Sequence, residues 1–150
     1  MKYRGLKKQK KYYSGKKKRH TLKAQVTADA ANKDIICIST APGRKHDFKI
    51  FKESKVHFVS KTQVIADKGY YGITKIHSNS VLPLKASRKH KLTSCEKLYN
   101  RLVASCRVKI ENINSYIKRF RIFSGKYRNH RKRFSQRFTL ICAIYNFQHA

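Results

Sequence analysis

Acidic residues are what this sequence has least of. Its 150 residues include only 7 Asp+Glu against 37 Lys+Arg, which gives a formal net charge of +30 and a pI of about 10.4. Self-repulsion of that size destabilises a compact monomer unless polyanions neutralise it, so a nucleic-acid partner is the first inference. Long apolar runs are missing as well. No stretch approaches the roughly 18 apolar residues of a membrane-spanning helix, and no basic amphipathic helix offers a clean lipid-facing side, so no membrane partner is expected. Met1 is followed by Lys2, Tyr3 and Arg4 with no apolar segment behind them, which predicts an intracellular, cytoplasmic protein without a secretory signal. The four cysteines, Cys37, Cys95, Cys106 and Cys142, form no C-x-x-C pair. That spacing suggests neither a zinc module nor a disulfide framework, and the thiols are expected as small buried hydrophobes in a reducing compartment.

What is present is enough for one domain. Leu, Ile, Val and Phe supply 36 of the 150 residues, above the level at which high net charge predicts disorder. Residues 1–20 read as a basic arm, in which Lys16, Lys17, Lys18 and Arg19 follow the Ser14-Gly15 turn. Such a run is either a solvated tail or a segment that tracks phosphates. Residues 21–150 read as an α/β domain, a mixed α+β sheet with helices. Leu22, Ala24, Val26 and Ala28 alternate with Lys23, Gln25 and Thr27, the pattern of a half-buried strand, and the β-branched run at 35–40 pairs with it as a hairpin. A short helix is expected from His46-Asp47 to about Ser54, with Asp47 as its N-cap. The strand at 63–66 stops on Asp67 and turns through Gly69 and Gly72, while Val81-Leu82-Pro83-Leu84 reads as an edge strand or a strand end.

Thr93-x-x-Glu96 has the spacing of a capping box and sets the start of a long helix. Along it Leu98, Leu102, Val103, Cys106, Ile110, Ile113, Ile117 and Phe120 keep the helical period. Arg107, Glu111, Asn114 and Lys118 then fall in one line beside the apolar stripe, at the rim of the core. A closing helix carries Phe134, Phe138, Ile141, Cys142 and Tyr145 and is apolar almost all round, which predicts burial. Arg131, Lys132 and Arg133 precede it with the wrong sign for a helix N-terminus. Either bound phosphate or a non-helical, solvated lead-in accounts for them.

Asp67 at a strand end and Glu111 on the long helix are candidates to converge on divalent cations, because hard metals take carboxylate oxygens and phosphodiester chemistry uses metal-bound ones. The alternative for Asp67 is an Asx turn into the next helical segment. Around these acids four motifs occur in order. They are Tyr12-Tyr13-Ser14-Gly15-Lys16-Lys17-Lys18-Arg19-His20-Thr21-Leu22-Lys23, then His46-Asp47-Phe48, then Ala66-Asp67-Lys68-Gly69-Tyr70-x-Gly72, and last Arg107 with Glu111 four residues on and Lys118 seven beyond that. From Tyr12 to Asn146 the chain resembles bacterial insertion-sequence transposases of the DDE superfamily, in the endonuclease group related to Harbinger-type nucleases.

The resemblance implies an RNase H-like fold. It also implies that Asp67 and Glu111 are the second and third acids of the triad, catalytic and metal-binding, with Mg2+ or Mn2+ as cofactor. Arg107 and Lys118 become the basic flank that steadies the scissile phosphate, and Lys16, Lys17, Lys18, Arg19, Arg131 and Arg133 further contacts to DNA. Ala104 stands where related elements carry a tyrosine three residues before the arginine. The first acid lies on an opening strand ahead of the Tyr-Ser-Gly-Lys-Lys-Lys segment, and no Asp or Glu occurs between Met1 and Tyr12. Asp29, Asp34 and Asp47 fall on the wrong elements to replace it. The reading is therefore a partial catalytic domain lacking its first strand, with weak metal binding and little activity alone. It would be a frameshift product or a decayed copy, nucleoid-associated, acting on element ends and target DNA with an upstream fragment or a full-length transposase. The alternative is a noncatalytic basic nucleic-acid-binding module. A small ribosomal protein would not call for the contexts of Asp67 and Glu111.

Overall fold

The computed structural model describes residues 10–88, 91–125 and 127–149, so the first nine residues of the basic arm lie outside the described residues. The rest of the arm is a hairpin of two short strands, β1 (Tyr13–Ser14) and β2 (Arg19–His20), with Lys16, Lys17 and Lys18 exposed at its tip. The expected antiparallel pair follows as β3 (Leu22–Ala28) and β4 (Ile35–Pro42), in register from Leu22 opposite Pro42. Helix α1 (Asp47–Ser54) begins one residue earlier than a cap at Asp47 would place it. The cap is His46, whose Nδ1 accepts from the Phe48 amide at 3.3 Å. A parallel pair, β5 (Val64–Ile65) with β6 (Ser80–Val81), comes next, and Pro83 ends the apolar segment without joining the ladder. Three helices close the chain: the long α2 (Ser94–Arg119), the short α3 (Arg121–Ser124) and α4 (Phe134–His149).

Both kinds of strand pairing expected of a mixed α+β protein are present, held in separate two-stranded ladders among the described residues. The β3–β4 ribbon is the centre. On one face Leu22, Val26, Ala28 and Ile38 pack with Ile35 against Ile113, Ile117, Phe134, Phe138, Cys142 and Tyr145 of α2 and α4. The other face is covered by α1, so Lys23 does not point into solvent as alternation alone implies. Its Nζ bonds the Asp47 carboxylate at 2.9 Å and the Lys45 carbonyl at 2.8 Å. A second, aromatic cluster of Phe48, Phe51, Phe58, Tyr70 and His77 fills the space between α1 and the turns after β5.

Helix α2 starts at the predicted capping box, in which Thr93 Oγ1 accepts from the Glu96 amide and Glu96 accepts from the Thr93 amide. Its stripe is buried only in part. Val103, Ile113 and Ile117 are covered, whereas Leu98, Leu102 and Cys106 are exposed, because the helix overhangs the ribbon towards its N-terminal end. Burial of the cysteines is likewise divided. Cys142 is in the core and its thiol is pushed up to about 11 by desolvation, Cys37 is half-buried, and Cys95 and Cys106 are exposed. The closing helix buries one side through Phe134, Phe138, Cys142 and Tyr145, yet it leaves Leu140 and Phe147 in solvent.

Candidate active site around Asp67 and Glu111

Asp67 stands where β5 runs out. Its extended backbone (φ −86°, ψ 168°) lets Oδ1 accept from the Lys68 amide at 2.7 Å and cap the single 3-10 turn Lys68–Tyr70. The Asx-turn role is thus real, but it does not exhaust the side chain, which is 55% exposed and also faces Arg107. The loop beyond it is seated on α1. A β-carbon on Gly69 would lie 3.2 Å from Asp47 Oδ2, and one on Gly72, where φ is +98°, would lie 3.2 Å from the Phe48 ring. Two motifs that are separate in sequence, His46-Asp47-Phe48 and Asp67 to Gly72, are therefore the two sides of one packing contact. The His-Asp-Phe motif is the signal for it, although its spacing alone does not reveal what it packs against.

Glu111 comes from α2, four residues after Arg107, the spacing that puts two helical side chains side by side. Arg107 Nη1 lies 3.3 Å from Asp67 Oδ1, and Nη2 lies 3.5 Å from Glu111 Oε1. One guanidinium therefore spans two carboxylates that the chain separates widely. Both distances exceed the 2.7–2.9 Å of a tight charge-assisted bond, and the acids are mostly exposed, so each pair contributes about 1 kcal/mol or less. Lys118 lies two turns further along α2 and is exposed, with no ion pair to either acid among the described residues.

Carboxylate oxygens converging on one positive charge are the donor type that a hard divalent cation takes. Asp67 and Glu111 thus fit such an ion in chemistry, though they are few. Among the described residues no three His, Cys, Asp or Glu side chains gather into a metal-binding group. Near them Tyr70 remains a neutral phenol, pushed up to about 12 by its burial and then by the negative charges of Asp47 and Asp67.

The other predicted contacts to DNA stand on other elements. Lys16, Lys17, Lys18 and Arg19 sit on the β1–β2 hairpin, and Arg131 and Arg133 on a 3-10 turn leading into α4. The arm and that turn meet, since the Arg131 guanidinium lies 4.4 Å over the Tyr12 ring. No helix among the described residues is long and apolar enough to cross a membrane.

The sequence profile of the DDE superfamily endonucleases matches residues 2–146. A probable transposase for insertion sequence element IS702 from Microchaete diplosiphon is 46% identical over 145 residues. That alignment covers 97% of this chain and 52% of the relative, so the chain spans about half the relative's length. No solved structure matches.

Proposed function

Because the chain belongs to the DDE superfamily endonucleases and is related to an insertion-sequence transposase, we propose that it is the part of a bacterial DNA transposase that carries Asp67 and Glu111 as two acids of a metal-dependent centre. The observation that carries this reading is the meeting of those acids, from a strand end and a helix, on Arg107. Asp67 and Glu111 would hold Mg2+ or Mn2+, which supplies the positive charge that strand cleavage and transfer need at the reacting phosphodiester. Arg107, which spans the acids, would be free to meet a phosphate if a cation neutralised them. Lys118, with Lys16, Lys17, Lys18, Arg19, Arg131 and Arg133, holds the backbone of element ends or target. Two carboxylates are too few to clamp the paired cations of a two-metal site. The chain accordingly binds metal weakly, has little activity alone, and works beside the remaining part of the transposase or a full-length copy, on the bacterial nucleoid.

The test is a calorimetric Mn2+ titration of the chain and of Asp67→Ala and Glu111→Ala. Loss of binding in both variants is expected, and Mn2+ binding that survives both would overturn the assignment. Single-turnover cleavage of an element end should appear only when the rest of the transposase is supplied. The same Arg107 geometry favours a second reading, because a guanidinium already neutralises both acids. A noncatalytic DNA-binding module that forms inactive complexes with full-length transposase would leave nucleic-acid affinity unchanged or raised in the two alanine variants, and would show no specific Mn2+ site.

A further inference from the structure

Two concave surfaces adjoin at Pro42, the last residue of β4. The larger, about 450 Å³, is lined by Lys10, Lys11, Arg44, Lys45, His46 and Lys49 around Pro42. The smaller, about 170 Å³, includes Tyr12, Arg131 and Lys132 and shares Pro42 with the first. Together they make one basic groove, assembled from the arm, the β4–α1 connection, α1 itself and the turn before α4.

Crowding these cations is unfavourable unless a counter-charge is supplied, and among the described residues the protein supplies it only to Lys45, through Glu53. Asp47 is paired with Lys23, Glu53 with Lys45, and Asp67 and Glu111 with Arg107. Among the described residues Lys10, Lys11, Arg44, Lys49 and Lys132 have no carboxylate within ion-pair distance. Cations drawn together from distant parts of the chain, along a groove rather than at a point, suit a polymer of phosphates better than a single anion.

We infer that this groove is a track for the phosphodiester backbone of duplex DNA, separate from the Asp67–Glu111 pair. The choice of DNA rests on the transposase reading; the polyanion chemistry does not. On α1, Asp47, Phe48 and Phe51 face the loop that carries Asp67, whereas His46 and Lys49 face the groove. The duplex in the groove is therefore a flanking segment and not the phosphate being cut. Arg131, stacked on Tyr12, fixes the arm to the groove's far end, and an anion beside it offsets the unfavourable charge at the start of α4.

Fluorescence anisotropy of labelled duplex DNA over a salt series reads the track directly. Each phosphate that the protein no longer neutralises lowers the slope of log affinity against log salt by about 0.9. The triple variant Arg44→Gln, Lys49→Gln, Lys132→Gln should therefore show a slope smaller by roughly 2.7. A control with three exposed cations elsewhere changed, Lys55→Gln, Lys75→Gln, Lys97→Gln, should change far less. A groove variant whose slope matches wild type, or falls no further than the control, overturns the proposal. So does a groove variant that loses affinity for structured RNA but keeps it for duplex DNA. Thermal unfolding confirms that each variant folds. The Mn2+ titration of the groove variant should equal that of wild type, so a failed metal site and a failed DNA track give different results.

Discussion

The Asp47 carboxylate lies 3.2 Å from where a β-carbon on Gly69 would stand. A side chain at position 69 would press on an acid from α1, which would have to give by a few tenths of an ångström. The same seat makes Lys23 and Phe48 parts of the support for Asp67: Lys23 holds Asp47 from below at 2.9 Å, and Phe48 lies under Gly72. The loop that carries Asp67 is thus held by a helix that sequence order puts twenty residues earlier.

Of the two glycines, Gly72 should be the costlier to replace. At φ +98° an L-residue is strained by about 1–2 kcal/mol, and the new methyl meets the Phe48 ring. Gly72→Ala should therefore lower the thermal midpoint by about 2–8 °C. Gly69→Ala should cost less, because the Asp47 carboxylate can swing aside. Thermal scans of the two variants against wild type compare them.

Removing the guanidinium should strengthen cation binding. In Arg107→Gln, Asp67 and Glu111 lose their shared counter-ion, and calorimetry should show tighter Mn2+ binding than in wild type. Folding stability should change by no more than about 2 kcal/mol, about 1 for each of the two pairs lost, since both are largely solvated.

Tyr70 should titrate late. Its hydroxyl is raised from 10.0 to about 12, first by burial and then by Asp47 and Asp67. The folded state therefore holds this proton more tightly than the unfolded chain does. The stability it contributes is complete below pH 10 and is lost as pH climbs from 10 to 12. Phenolate absorbance of wild type minus Tyr70→Phe locates the transition. Asp47→Asn should bring it down while leaving it above 10, because burial is the larger cause.

Asn146 ties α4 to β4 across 111 residues. Its Oδ1 accepts from the Ile35 amide and its Nδ2 donates to the Ile35 carbonyl, both at 2.9 Å. In Asn146→Ala both groups of the buried Ile35 backbone lose their partner, at a cost of about 1–3 kcal/mol. Asn146→Asp keeps the acceptor and should fall between that variant and wild type. Urea unfolding curves rank the three.

Sequence carried the local structure well where a short pattern has one solution. Alternation in 22–28 gave β3, the Thr93–Glu96 spacing gave the start of α2, and an apolar run stopping on Asp67 gave the strand end. The α+β class and the DDE family were legible from the same motifs. What did not show was whatever depends on a distant partner. A helical period reveals that Leu98, Leu102 and Cys106 share a face with Ile113, but not that the ribbon ends before it reaches them. The polar side of β3 reads as solvated until α1 lies on it. Lys10, Lys11, Arg44 and Lys49 belong to separate basic stretches, and only the turn at Pro42–Gly43 brings them to one groove. Arg107 was visible beside Glu111, whereas its reach to Asp67 required the end of β5 to pass next to α2.

Glu111 rides on the helix that packs into the main core through Ile113, and Asp67 on the loop seated over the aromatic cluster of Phe48, Phe51 and Tyr70. The two acids therefore belong to different packing units, which meet where β5 passes α2 and Arg107 spans the carboxylates. Their separation is set by how the units settle against each other and not by a single rigid element. Their spacing therefore answers to packing on both sides, so a substitution in either cluster can shift it while leaving Asp67 and Glu111 themselves unchanged.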